Sequence, residues 1–135
     1  MNILVDTNVV VSALIRDGLP RRLVGEIVAR DDWFWIVTAS IETEYKEVLA
    51  RPKFKIPSAI LESFIAFIEM VTIRVEPIIS PPFPRDPKDQ PFIAAALTSQ
   101  ADYLITGDRD LLDEQSMAST RIVEPAQFAR FFGIA

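Results

Sequence analysis

The sequence predicts a three-layer α/β domain with a mostly parallel sheet, because short apolar runs alternate with helical patterns along the chain. The strand candidates are the runs at residues 3–5, 33–37, 71–75, 103–106 and 121–123. Apolar residues recur at helical spacing at 21–30, 41–51, 58–70 and 125–132, and a further helix starts at Asp89. With 135 residues, the chain is long enough for one sizeable core, so we expect a single domain over residues 1–135.

Glycines and prolines mark the ends of these elements. Gly18 and Pro20 interrupt the first helical region, and the proline-bounded stretches 52–57 and 77–87 are predicted loops. The helix at 58–70 is unusual, because its apolar residues cover well over half of its circumference. We expect such a helix to pack against two different partners. One is the core, and the other is a further element of the core, another subunit or a binding protein.

The composition excludes several kinds of functional site. The chain contains no cysteine and no histidine. Disulfides, zinc sites with thiolate or imidazole ligands, and nucleophilic Ser-His-Asp or Cys-His systems are therefore ruled out. We expect no membrane span, since no apolar run approaches the roughly 20 residues that a bilayer requires. We expect a cytoplasmic protein, since the lack of cysteine fits a reducing compartment. The net charge of −5 gives no overall attraction to nucleic acid, although a basic patch or a bound cation reverses the field locally.

Two predicted strands end in an acid. Asp6 follows the run at 3–5, and Asp108 follows the run at 103–106 after one glycine. In a parallel sheet the carboxyl ends of the strands share one edge, and ligands bind there. Asp6 taken alone is better explained as a helix cap, and aspartate is common in loops. The pair, on what should be one edge, is explained about equally well by chance and by a ligand site.

Further acids lie where elements begin. Glu42 and Glu44 border the apolar stripe of the helix at 41–51, and helical periodicity does not choose between them, whereas Glu47 lies almost opposite the stripe. Asp89 opens an alanine-rich helix, where it acts either as a cap or as a cleft residue. Carboxylates gathered on one edge repel each other unless a hard cation offsets their charge. Mg²⁺ and Mn²⁺ prefer oxygen ligands and suit phosphoryl chemistry.

Four segments in order resemble the PIN-domain family: ILVDTN (3–8), SIETEYKEVLARP (40–52), RDPKDQPF (85–92) and ADYLITGDRDLL (101–112). The similarity runs essentially end to end, and it looks most like the branch of VapC-like ribonucleases, the toxin components of toxin–antitoxin systems. The resemblance implies an α/β/α sandwich with a central parallel sheet of about five strands. It also implies an endoribonuclease that depends on Mg²⁺ or Mn²⁺.

The resemblance also implies the site residues. Its catalytic and metal-binding acids fall on Asp6, Glu44, Asp89 and Asp108, which selects Glu44 over Glu42. The supporting residues that it implies are Asn8, Thr106, Asp86 and Asp110, of which Thr106 is a hydroxyl that steadies the site. Lys88 and Gln90 flank Asp89 where relatives often carry further acids or asparagine. Whether a second metal ion binds is therefore left open.

The implied partners are an RNA substrate, a second copy of the chain in a homodimer, and an antitoxin protein. The apolar helix at 58–70 fits the dimer. Phosphate contacts are open to two basic groups: Arg16, Arg21 and Arg22, or Arg51, Lys53 and Lys55. Trp33 and Trp35 are suited to base stacking, but aromatic residues in strands more often pack in the core.

Two other functions stay open at this point. One is a PIN-like module that retains little catalysis and serves to bind proteins. The other is a phosphohydrolase with Asp6 as an aspartyl nucleophile. Such enzymes usually carry a second aspartate two residues later, and this chain has Asn8 there.

Overall fold

A sheet of five parallel strands forms the centre of the computed structural model, which describes residues 1–78, 89–113 and 119–135. The strand order is β3-β2-β1-β4-β5, and all four pairings between neighbours are parallel. The strands are β1 (Asn2–Val5), β2 (Phe34–Val37), β3 (Thr72–Arg74), β4 (Tyr103–Ile105) and β5 (Arg121–Val123). The predicted α/β class with a parallel sheet is confirmed.

Helices cover both faces of this sheet. The central strand β1 is buried on both sides, with Ile3, Leu4 and Val5 all inaccessible to solvent, as expected for a sheet between two helical layers. The resulting architecture is a three-layer α/β/α sandwich. Its helices are α1 (Thr7–Ile15), α2 (Leu19–Ala29), α3 (Ala39–Leu49), α4 (Ser58–Val71), α5 (Gln90–Ser99), α6 (Arg109–Asp113) and α7 (Pro125–Phe132).

Element boundaries differ from the expected ones for local reasons. Helix α2 begins at Leu19, two residues early, because proline is tolerated in the first turn of a helix and Pro20 lies there. Helix α3 also begins early, at Ala39, where the Thr38 hydroxyl accepts a capping hydrogen bond from the Ile41 amide at 3.2 Å. The predicted loop at 52–57 contains a 3₁₀ turn, Pro52–Phe54. Of the loop predicted at 77–87, residues 79–87 lie outside the described residues.

Helix α4 is only partly covered by the rest of the described chain. Of its residues only Ile68 is buried, while Ile60 is 50% exposed and Met70 is 81% exposed. The wide apolar arc therefore packs one side against the core and leaves a second apolar side accessible. Within the described residues, no helix combines the length and the apolar character needed to cross a bilayer.

Both tryptophans belong to the core. Trp33 meets the rings of Phe128 and Phe132 edge-on, with centroids 5.5 and 4.9 Å away. Trp35 is almost inaccessible, and its indole Nε1 donates to the Tyr45 hydroxyl at 3.4 Å. The packing interpretation of these two residues is confirmed, and neither ring face is open to a nucleic-acid base.

Candidate active site

The carboxyl ends of β1 and β4 form one continuous edge. The strands are neighbours with Val5 opposite Ile105, and the Asp6 amide donates to the Ile105 carbonyl at 2.9 Å. This pairing brings Asp6 beside Thr106. A cleft of about 310 Å³ opens at this edge, and the described residues that line it are Asp6, Thr7, Asn8, Glu44, Glu47, Val48, Arg51, Asp89 and Asp108. The four acids selected by the resemblance thus lie around one cleft.

Asp6 is buried and is both a helix cap and a cleft residue. Its Oδ1 accepts from the Thr7 amide at 2.8 Å at the start of α1, and its Oδ2 accepts from the Thr106 hydroxyl at 2.7 Å. Because each carboxylate oxygen carries two lone pairs, capping leaves acceptor capacity for a cation. Burial raises the pKa of Asp6, the hydrogen bonds from Thr106 and Thr7 lower it, and the charges of Glu44 and Asp108 raise it, so that the net pKa is raised.

Asp108 repeats this arrangement at the end of β4. Its Oδ1 accepts from the Asp110 amide at 2.8 Å, which caps the short helix α6. The Asp108 amide in turn donates to the Thr106 hydroxyl oxygen at 2.9 Å. The fully buried Thr106 hydroxyl therefore connects the two acids, since it donates to Asp6 and accepts from the Asp108 backbone.

Glu44 and Glu42 point to different partners. The Glu44 carboxylate lines the cleft and accepts a short hydrogen bond from the Thr7 hydroxyl. Glu42 instead forms ion pairs with Arg74 on β3 at 2.7 Å and with Lys46 at 3.2 Å. Burial acts to raise the pKa of Glu42, but the hydrogen bonds from Arg74 and Lys46 outweigh it, and the pKa is lowered. The geometry therefore separates two residues that helical periodicity does not distinguish.

The remaining residues implied by the resemblance are distributed as follows. Asp89 is buried at the start of α5, where its carboxylate makes no capping hydrogen bond to the described first turn and lines the cleft. Asn8 is an exposed residue of the cleft wall. The Asp110 amide contacts Asp108, but Asp110 is not among the described lining residues. Asp86 lies outside the described residues.

Three further residues contribute to this site, and the sequence alone did not single them out for it. Thr7 positions Glu44, and the buried Tyr45 hydroxyl donates to the Val5 carbonyl directly before Asp6. Burial holds the pKa of Tyr45 far above its usual value, so the hydroxyl stays a donor. Glu47 lines the cleft although it faces away from the apolar stripe of α3. Its spacing of three residues from Glu44 is the signal that predicts a shared face.

The donor set fits a hydrated hard cation. All candidate ligands are carboxylate oxygens, which Mg²⁺ and Mn²⁺ prefer, and a cation would offset the repulsion around the buried Asp6. No three carboxylates of the described residues are close enough together to enclose a metal ion. Mg²⁺ commonly retains several waters and binds through one or two carboxylates, so such an ion does not require three carboxylates in contact with it.

The Thr106 hydroxyl is open to a direct test. Thr106→Val keeps the shape but leaves the Asp108 amide and the Asp6 carboxylate without this partner, and we expect a loss of about 1–3 kcal/mol in the free energy of unfolding. Thr106→Ser is the matched control, because it retains the hydroxyl and loses one methyl group, at a cost of about 0.8 kcal/mol. Urea unfolding measures both. A valine variant as stable as the serine variant would show that the hydroxyl bridge has no energetic role.

Comparison with known proteins identifies the family. The chain matches the PIN domain over residues 2–110, a range that contains β1 to β4 and all four acids at the cleft. No curated protein matches the chain. PIN domains are generally nucleases and typically use divalent metals, which agrees with a carboxylate-lined cleft at the carboxyl edge of the sheet. From the extent of this match and the fold, the chain belongs to the PIN domain family, whose fold is of the nuclease type.

Proposed function

We propose that this protein is an endoribonuclease that depends on Mg²⁺ or Mn²⁺ and hydrolyses phosphodiester bonds in RNA. The observation that carries the proposal is the cleft shared by Asp6, Glu44, Asp89 and Asp108 at the carboxyl edge of a PIN fold. A divalent cation in such a cleft supplies a nucleophilic water at neutral pH and offsets the charge that develops on the phosphate.

In this proposal the four acids hold a hydrated cation partly through its water molecules, and hydroxyl groups orient two of these acids. Thr7 donates to Glu44 and Thr106 donates to Asp6, so two of the ligands have their orientation set by neighbours from other elements. Hydrogen bonds of this kind to metal-binding carboxylates tune affinity and geometry. Asn8 lines the cleft wall beside Asp6. The family resemblance gives supporting roles to Asp110 and to Asp86, the latter outside the described residues.

Metal binding should be measurable without activity. We expect millimolar Mg²⁺ or Mn²⁺ to raise Tm, because a ligand that binds only the folded state stabilises it by mass action. The same ions should support cleavage of single-stranded RNA, and excess EDTA should abolish both effects. Full cleavage in EDTA would overturn the proposal.

The two other functions make different predictions in the same assays. For a protein-binding module, Mg²⁺ and Mn²⁺ leave Tm unchanged and RNA stays intact. For an aspartyl phosphohydrolase, a covalent phosphoenzyme accumulates on Asp6 and can be trapped. The second alternative is disfavoured because Asn8 stands where such enzymes usually carry the second aspartate.

We propose further that the ribonuclease is the toxin of a toxin–antitoxin pair in the cytoplasm and that an antitoxin protein keeps it inactive. The support is the resemblance of its four acidic segments to VapC-like toxins and the absence of cysteine. Induced expression should arrest growth and produce new RNA ends at defined sites, whereas expression of Asp6→Asn should not. If induced cells grew normally and produced no new RNA ends, the toxin proposal would be overturned. The ribonuclease proposal would then be decided by the cleavage assay alone.

A homodimer is the third part of the proposal. Its support is the accessible apolar side of α4, which includes Ile60 and Met70, followed in the chain by the exposed Ile73 of the edge strand β3. Light scattering should give twice the chain mass, and Ile60→Glu should give the monomer. A monomeric wild type would refute the dimer.

We also propose that residues 1–135 behave as a single domain. The support is the pairing of β5 with β4, which connects residues beyond the family match to the same sheet.

A further inference from the structure

The negative charge of the cleft repels a polyanionic substrate unless cations offset it. Five of its described lining residues are acids, namely Asp6, Glu44, Glu47, Asp89 and Asp108, and the single cation among them is Arg51. A bound metal offsets charge at the phosphate that it contacts. Phosphates on either side of that one need cations supplied by the protein.

Arg51 shares a face with the acids of α3. Glu44, Glu47, Val48 and Arg51 are spaced by three, four and seven residues from the first, so they project from one side of a helix. Helix α3 ends at Leu49, and Ala50 continues the helical backbone. At 1.5 Å per residue, Arg51 begins roughly 10 Å along the axis from Glu44, too far to share its ligand but within reach of a neighbouring phosphate.

The backbone at Arg51 is held in place. The Arg51 amide donates to the Val48 carbonyl at 3.1 Å, and the residue then turns to an extended conformation with ψ 132°. Pro52 follows, and a proline confines the preceding residue to this region. The 3₁₀ turn that begins there carries Lys53 and leads to Lys55. One short segment that begins at the cleft therefore carries three basic side chains.

The cations at 51–55 are free of salt bridges in the part of the chain that the structure describes, although Lys53 Nζ lies 5.1 Å from the centroid of the Phe54 ring. Among the described residues, the side chains of Arg51, Lys53 and Lys55 form no ion pair, whereas Lys46 and Arg74 both pair with Glu42. The other basic group differs, because Arg21 donates to the carbonyls of Ala13 and Leu14 and lines an apolar pocket instead of the cleft. Of the two groups, the one at 51–55 is the one with a member, Arg51, among the described residues that line the cleft with the acids.

We propose that Arg51 binds the RNA phosphate next to the one that is cleaved, and that Lys53 and Lys55 continue this phosphate track away from the cleft. The inference rests on the proposed ribonuclease function and adds the residues that hold the substrate. The competing explanation is structural: a cation at the carboxyl end of α3 interacts favourably with the helix dipole. Under that explanation Arg51 affects stability and not substrate binding.

The test compares three variants of the full chain: Arg51→Gln, Arg51→Lys and Arg130→Gln. Arg130 is the matched control, since it is an exposed arginine in the last turn of a helix, α7, and does not line the cleft. Cleavage of a fluorescent single-stranded RNA in Mg²⁺ gives kcat and KM between about 50 and 200 mM KCl, and anisotropy gives RNA binding by the same chains. Tm reports any structural contribution.

We expect Arg51→Gln to raise KM about tenfold with kcat little changed, as for loss of one charge-assisted phosphate contact. The plot of log affinity against log salt concentration has a negative slope, and this slope should become shallower by about 0.7 when one phosphate contact is lost. Arg51→Lys should keep the slope and recover part of the affinity, because it retains the charge and loses the planar fork. Arg130→Gln should match the wild type.

The outcomes separate this inference from the proposed function. If the wild type cuts RNA and Arg51→Gln behaves like Arg130→Gln, or changes Tm alone, the inference is overturned and the ribonuclease stands. If the wild type binds RNA without cutting it and Arg51→Gln lowers the salt dependence of binding, the phosphate contact of Arg51 is supported and the ribonuclease fails. If no RNA is bound, the inference is overturned.

Discussion

Replacement of Asp6 by asparagine should abolish RNA cleavage and leave the fold intact. The proposed metal ligand loses its charge, and metal catalysis contributes several kcal/mol to the barrier. Since each 1.36 kcal/mol is tenfold in rate, kcat should fall about a thousandfold or more. Asp108→Asn should have a similar effect, because Asp108 lies on the same strand edge and is joined to Asp6 through Thr106. Single-turnover cleavage of a labelled RNA measures both losses.

The asparagine variants should fold because their structural role survives. Asparagine caps helices as well as aspartate does, so the starts of α1 and α6 keep an acceptor for the Thr7 and Asp110 amides. At pH 7 in EDTA, Asp6→Asn should melt at or above the temperature of the wild type, since it removes a buried charge whose neighbours include Glu44 and Asp108. The rise of Tm with Mg²⁺ should disappear. Wild-type activity in either variant would refute the role of that acid.

Phe128→Ala should destabilise the protein by about 3–5 kcal/mol, the usual cost of removing a fully buried phenylalanine. Phe128 is inaccessible to solvent, and its ring contacts Trp33 and Tyr103 edge-on at centroid distances of 5.5 and 5.2 Å. The free energy of unfolding of a typical domain is only about 5–15 kcal/mol, so the variant should be close to unfolding. Urea unfolding followed by tryptophan fluorescence and by circular dichroism measures the loss.

Phe131→Ala is the control for this variant. It lies on the same helix but is 51% exposed, and we expect a loss of about 1 kcal/mol or less. The comparison also tests the single domain, because Phe128 lies beyond residues 2–110, which match the PIN domain. If Phe128→Ala unfolded α7 and left the transition of the remaining chain unchanged, the single-domain proposal would fail.

Much of the fold was predictable because it depends on local patterns. Short apolar runs alternating with amphipathic stretches allow few arrangements other than parallel strands with helical crossovers. Errors at the boundaries came from capping: Thr38 and Pro20 start their helices earlier than the apolar pattern does. The exposed side of α4 was foreseen as a second apolar face, but periodicity does not say which of its residues the core covers.

For the candidate site, the sequence by itself determined that Asp6 and Asp108 share an edge, since both follow strands of one parallel sheet. It did not distinguish a cap from a cleft residue, because Asp6 is both and the two roles use different lone pairs. The four matching segments then selected Glu44 and Asp89 by analogy. Their position at the cleft is a geometric finding, and their chemical role remains a prediction.

Only the tertiary structure decided how the acids are divided between stability and the cleft. Arg74, which follows Glu42 by 32 residues, pairs with the buried Glu42, which does not line the cleft, while the Thr7 hydroxyl from another helix orients Glu44. Thr106 joins Asp6 across 100 residues of sequence. Helical periodicity describes one element at a time, and these choices depend on contacts between elements that are distant in the chain.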